Sequence, residues 1–437
     1  MNLGHAREKA FGLARQHGRA ALAYVAAFGA SKALVVFGPI LLAKLYAPDV
    51  YGAIELALST SMFLATLMSG AVTSAVPRLH LSRSPVIIDD VIAATVACAG
   101  IILLTLALGL FAATGRQSAT LCLLATVPAM VQGALSVHFL AARKRSLAAL
   151  SSASATITAT ATAAALLLLP AVKLSGLLLM YALIGAVLVA LAARLALSRR
   201  LPDFQARARK AVTVGLPILA YGLVASWIAA SGRVYIAGFL SVETVAVYSF
   251  AFRIAAMALL PYALITSGLF AQVYRMRTRR FDRLAPIYLG LTALFGLVLT
   301  LAFPRLLLLL APKALSPETR LLATSVFALV MGQVIGWAVS ASIFLRINRT
   351  GLAGKAAIAT ALVAAAIGAA FLIMARTGHL SLPVAALLLL VQEFAQIAML
   401  IALLWRKGLP LPRIAVFSVV LAAASIGLYL IGVPVPG

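Results

Sequence analysis

The sequence predicts an all-α polytopic membrane protein of about thirteen transmembrane helices, two pseudo-symmetric six-helix lobes plus one C-terminal helix. Three observations predict it. Of the 437 residues, 64% are hydrophobic and only 11% charged, with a mean hydropathy of +1.09, whereas a soluble domain is roughly half apolar and a quarter charged. Apolar runs of the ~20 residues needed to cross a bilayer recur along the whole chain, leaving no room for a sizeable soluble domain. Finally, the loops between them alternate in positive charge.

Read between charged residues and Pro or Gly breaks, the runs lie near 20–43, 52–76, 88–113, 118–141, 149–170 and 174–196, then near 211–231, 243–272, 285–309, 321–345, 353–375 and 381–405, with a thirteenth near 413–433. The first follows Arg7, Lys9, Arg15 and Arg19, like the basic start of a signal peptide. It is long enough to span and has no small-residue cleavage site before its end, so it is read as a retained first helix. The domain plan is an N-lobe over 1–197, a cytoplasmic basic linker over 198–210, a C-lobe over 211–405 and an extra helix within 406–437.

The net charge of +26, from 36 Lys and Arg against 10 acids, would suggest nucleic acid in a soluble chain. Between membrane spans it is the signature of cytoplasmic loops, and no nucleic-acid partner is expected. With the N-terminus inside, the inner segments hold 26 cations and the outer segments 8. Every inner segment equals or exceeds its outer neighbours, which places the C-terminus outside. A missed span would swap the sides of everything downstream, so the unbroken alternation supports count and orientation together.

Several chemistries are excluded. Gly354-Lys355-Ala356 lacks the spacing of a phosphate loop. Cys98 and Cys122 fall inside apolar runs, which argues against a disulfide framework. The five histidines and ten acids do not cluster at metal-ligand spacing, His138 is read as a packing residue alone in span four, and no metal or cofactor is expected. The longest outer loops, near 233–242 and 310–320, hold no carboxylate pair for acid–base work, so an enzyme is not expected.

The halves repeat at an offset of 194: Asp49 matches Glu243, Gly52 matches Ala246 and Ala57 matches Ala251. A parallel repeat of this kind is an arrangement of alternating-access transporters. Leu41-Leu42-Ala43-Lys44-Leu45-Tyr46-Ala47-Pro48-Asp49-Val50-Tyr51-Gly52 resembles the joint between the first two helices of the polysaccharide and O-antigen flippases, relatives of the lipid II flippases, in the multidrug/oligosaccharidyl-lipid/polysaccharide exporter superfamily. Gly215-Leu216-Pro217, Ala225-Ser226-Trp227-Ile228, Gly232-Arg233 and the stretch 245–251 are similar to the start of that family's second lobe. The thirteenth span departs from the family's twelve or fourteen.

The resemblance implies an ATP-independent flippase of the bacterial inner membrane with a cavity between two lobes. Its implied cargo is an undecaprenyl-diphosphate-linked glycan, and its implied partners are membrane lipids, a polysaccharide polymerase and glycosyltransferases. A cation-coupled drug or small-solute antiporter of the same superfamily stays open as the alternative.

Charges inside spans cost ~2.5–3.5 kcal/mol each at the membrane centre, which singles out Lys32, Arg253 and Glu393 at similar depths on spans one, eight and twelve. Lys32, Arg253 and the outer-segment Arg233 are the candidate substrate-facing cations. Glu393 and Glu55 are the coupling or ion-pair candidates, Glu55 being placed near the outer interface. A structural Lys32–Glu393 pair, with Arg253 bonded to backbone carbonyls, remains the competing reading.

Overall fold

The computed structural model describes residues 22–33, 35, 37–43, 46–80, 86–142, 144–152, 174–198, 202–310 and 317–431. The elements are α1 (Leu22–Ala43), α2 (Pro48–His80), α3 (Asp89–Thr114), α4 (Gln117–Ala141), α5 (Arg145–Ser151), α6 (Leu174–Ser198), α7 (Phe204–Phe239) and α8 (Val242–Ala256). A 3-10 turn over Met257–Leu259 carries α8 into α9 (Leu260–Gly268), and α10 (Phe270–Arg275), α11 (Thr278–Leu310), α12 (Pro317–Thr350), α13 (Ala353–Arg376), α14 (Leu382–Trp405) and α15 (Pro412–Ile431) follow.

The protein is an all-α polytopic membrane protein: among the described residues there is no strand, and twelve helices are long and apolar enough to cross a membrane. These correspond to predicted spans one to four and six to thirteen. The predicted fifth span, 149–170, lies outside the described residues except at its start, which is the end of α5. The N-terminal cations Arg7, Lys9, Arg15 and Arg19 also lie outside them.

Local chemistry explains where the helices begin and end. α2, α12 and α15 start on Pro48, Pro317 and Pro412, where the missing N–H costs nothing and the fixed φ suits the first turn. The Ser241 hydroxyl accepts from the Thr244 N–H at 3.1 Å and caps α8. At the far end of α3, Gly115 takes φ 63° and its N–H bonds the Phe111 carbonyl, the left-handed cap that glycine adopts without a Cβ penalty.

Two boundaries differ from expectation. α7 begins at Phe204 and reaches Phe239, so the second half of the linker read at 198–210 is its first turns, and Arg233 belongs to the helix rather than to an outer loop. Arg346, counted as an inner-segment cation, is buried and donates to the carbonyls of Val273, Tyr274 and Met276 where α10 ends. The last carbonyls of a helix lack the N–H groups of a following turn; here the Met276 N–H reaches the Val273 carbonyl at 3.4 Å and the guanidinium supplies further donors.

Large apolar side chains such as Leu183, Val187 and Leu191 stand exposed along one stripe of α6, as lipid-facing surfaces do. α12 is the opposite case. Of its apolar window 89% is buried, against 22% for α15, and it is surrounded by α8, α11, α14 and α15.

α2 and α7 run antiparallel in close contact. Phe63 meets Trp227 edge-on, the Thr66 and Ser226 hydroxyls bond at 3.1 Å, and Gly70 lies under Leu219. Farther along, a Cβ on Gly215 would fall 1.7 Å from the Ala71 carbonyl oxygen. Small residues permit this approach, and in lipid close packing of this kind is a main source of helix association. Gly52 plays the same part for α8: a Cβ there would meet the Val242 carbonyl oxygen at 2.1 Å. Gly52 and Gly215, both in the resembling stretches, thus set the spacing of α2 against α8 and α7.

Candidate functional site

Glu55 sits where α2, α7 and α8 meet. Three residues, a little under one helical turn, past the Gly52 contact, its carboxylate is wholly enclosed. Arg253 donates from Nε to Oε1 at 3.2 Å and from Nη2 to Oε2 at 3.0 Å, the two-pronged geometry to which guanidinium and carboxylate are matched. Arg233 Nε approaches Oε2 at 3.6 Å and donates to the Ser249 hydroxyl at 2.9 Å. The Tyr51 hydroxyl donates to Oε1 at 3.4 Å.

Aromatic rings complete the enclosure. The Arg233 guanidinium lies 4.7 Å from the Phe252 ring centroid and 5.9 Å from that of Tyr248, within the range of cation–π attraction. Tyr248 in turn donates to Gln333 Oε1 on α12 at 2.8 Å. The repeat offset of 194 relates position 55 to position 249, and Arg233 touches the side chains of both.

Two guanidiniums share one carboxylate, so the cluster carries one excess positive charge. Arg233 is 4% exposed and Arg253 22%. Arg253 is therefore the member that opens to its surroundings.

The placements correct the sequence reading at several points. Glu55, an ion-pair candidate, is enclosed and paired with Arg253. Arg253 is bound by a carboxylate, not by backbone carbonyls. Lys32 and Glu393 do not pair in this structure: the Lys32 ammonium lies 5.7 Å from the Phe28 ring centroid, and among the described residues Glu393 Oε1 has no hydrogen-bond partner. The expected grouping of Lys32, Arg253 and Glu393 is thus replaced by Arg253, Arg233 and Glu55. Depth along each helix was readable from the sequence, but the direction each side chain faces was not.

Glu393 occupies a second polar region. Its side chain packs on Gly336 of α12, where an added Cβ would meet its Cγ at 2.7 Å. Beside it, Gln396 donates to the Tyr221 hydroxyl at 3.1 Å, and among the described residues both amide atoms of Gln392 are enclosed without a hydrogen bond.

A third grouping escaped the sequence reading altogether. The histidines and acids do not cluster along the chain, but the fold brings His80, Asp89 and His138 together from three helices, so His138 is not alone. No local spacing signals this, because the residues meet only once α2, α3 and α4 are packed.

No protein-family model matches this sequence, and neither does any curated protein. The functional reading therefore stands on the site and on the resemblance of the stretches around Gly52 and Gly215.

Proposed function

We propose that this protein is a flippase of the bacterial inner membrane that moves an anionic lipid-linked glycan, of the undecaprenyl-diphosphate class, from the cytoplasmic to the outer face. In this reading the N-terminus is cytoplasmic, two six-helix lobes alternate in access, and no bond is made or broken. The observation that carries it is the excess positive charge of the Glu55–Arg233–Arg253 cluster at the junction of α2, α7 and α8. A buried net charge is costly in a membrane helix and marks substrate paths. Arginine suits a diphosphate because its planar guanidinium carries five N–H donors: Glu55 takes one from Nε and one from Nη2 of Arg253, and the Nη1 end is the edge a phosphate would meet.

Glu55 neutralises one guanidinium and holds the other in place, which leaves the partly open Arg253 to meet the cargo. The test is glycan display at the surface of a flippase-deficient strain expressing each variant at matched membrane levels. Arg253→Lys keeps charge without the fork and should give partial display, and Arg253→Ala almost none. Wild-type display from Arg253→Ala would reject the reading.

A second reading, the cation-coupled antiporter, is favoured by Glu393, an enclosed carboxylate with one oxygen that has no hydrogen-bond partner among the described residues. It requires Glu393→Gln to abolish ion-driven solute export while Arg253→Ala leaves it intact.

A further inference from the structure

His80 is the last residue of α2, Asp89 the first of α3, and His138 stands in the last turn of α4. One ring nitrogen of each histidine and one carboxylate oxygen of Asp89 lie within 4.8 Å of one another, and all three residues are half-buried. His138 Nδ1 is 3.0 Å from Asp89 Oδ1, and the two imidazoles cross edge to face at 6.2 Å. Among the described residues the Nδ1 of His80 is enclosed and makes no hydrogen bond, an uncommon state for a polar atom that calls for a reason.

We propose that His80, Asp89 and His138 form a binding site for a divalent transition-metal ion of the zinc class, with water completing the coordination. Two imidazoles and one carboxylate suit zinc, cobalt or iron rather than the oxygen-ligated magnesium or calcium. The geometry is close to what such an ion needs. With bonds of ~2.0–2.1 Å, tetrahedral ligand atoms stand ~3.3 Å apart, so the widest gap here closes by at most ~1.5 Å. On binding, the ion lies between His138 and Asp89 and gives Asp89 Oδ1 and the His80 nitrogen the partner that each lacks among the described residues.

The site has a structural consequence. The next residue, Asp90, grips Arg207 at the start of α7, with both N–O distances 2.6 Å, so an ion on Asp89 stiffens the corner that anchors α7 to α3. Asp90 and Lys144 are the further charges that act on this corner. None of these residues belongs to the Glu55 cluster, so the proposal stands whether or not the cargo is a glycan.

The probe is Co2+ added to the full-length protein, purified in detergent, freed of any affinity tag and stripped with chelator. One equivalent per chain should bind with visible d–d absorption, and Zn2+ should displace it. His80→Ala, Asp89→Asn and His138→Gln should each weaken binding more than about tenfold. The absence of a saturable cobalt band, or a band at full stoichiometry in the triple variant, would overturn the proposal. The wild-type chain gives a readout that needs no variant: Zn2+ should shield His80 and His138 from diethyl pyrocarbonate while leaving the exposed His379 reactive. Equal labelling of all three with and without Zn2+ would overturn the site.

Discussion

Arg253 donates to both carboxylate oxygens of Glu55, at 3.2 and 3.0 Å, across 198 positions of sequence. Through this pair α8 is tied to α2, and Arg233 of α7 closes on the same carboxylate at 3.6 Å. Removing one partner of a buried pair is far more damaging than removing all of them, since it strands a charge at a cost of ~3–5 kcal/mol. Glu55→Gln should therefore lower the thermal midpoint in detergent sharply, and combining Glu55→Leu with Arg233→Met and Arg253→Met should recover much of the loss. An unchanged midpoint for Glu55→Gln would mean that water reaches both arginines.

The α2–α7 contact makes a separate prediction about glycine. A Cβ at Gly215 would meet the Ala71 carbonyl oxygen at 1.7 Å, whereas one at Gly222 has only the Thr66 methyl at 3.8 Å. Gly215→Ala must push two helices apart and should cost at least ~1–3 kcal/mol, with reduced folded yield by size-exclusion chromatography. Gly222→Ala on the same helix should be neutral or slightly stabilising. Similar behaviour of the two variants would show that α2 and α7 do not touch at Ala71.

Lys32 and Glu393 should behave independently. A double-mutant cycle on Lys32→Met and Glu393→Gln, read by thermal unfolding, should give a coupling energy within the ~0.3–0.5 kcal/mol expected of separate sites. Glu393→Gln alone should hold or raise stability, because it removes a charge from an enclosed position where one oxygen has no partner. A coupling well above that range would restore the direct pair.

The loop cations predict the topology. Phosphatase sandwich fusions at Gly115 and Gly378 should be active outside, and fusions at Lys144 and Lys407 inactive inside. The Gly437 C-terminus, which lies outside the described residues, should report as external. Activity at Lys407 with silence at Gly378 would invert the second half.

Part of this protein was determined by its sequence alone. Lipid acts on each segment separately, and a run of ~20 apolar residues satisfies its own backbone as a helix whatever its neighbours do. The spans were legible for that reason. Candidate charges were legible too, because a Lys, Arg or Glu within an apolar run stands out at any register.

Their partnerships were not legible, since pairing depends on the rotation of each helix about its axis and on which helices are neighbours. Lys32 and Glu393 share a depth yet face different surroundings, and Glu55 finds Arg253 because Gly52 and Gly215 let α2 lie against both α8 and α7. His80, Asp89 and His138 meet for the same reason, at a corner built from three helix ends. Hydropathy adds up residue by residue along the chain, whereas a site requires side chains from distant segments to converge, and only the packing of the helices decided that.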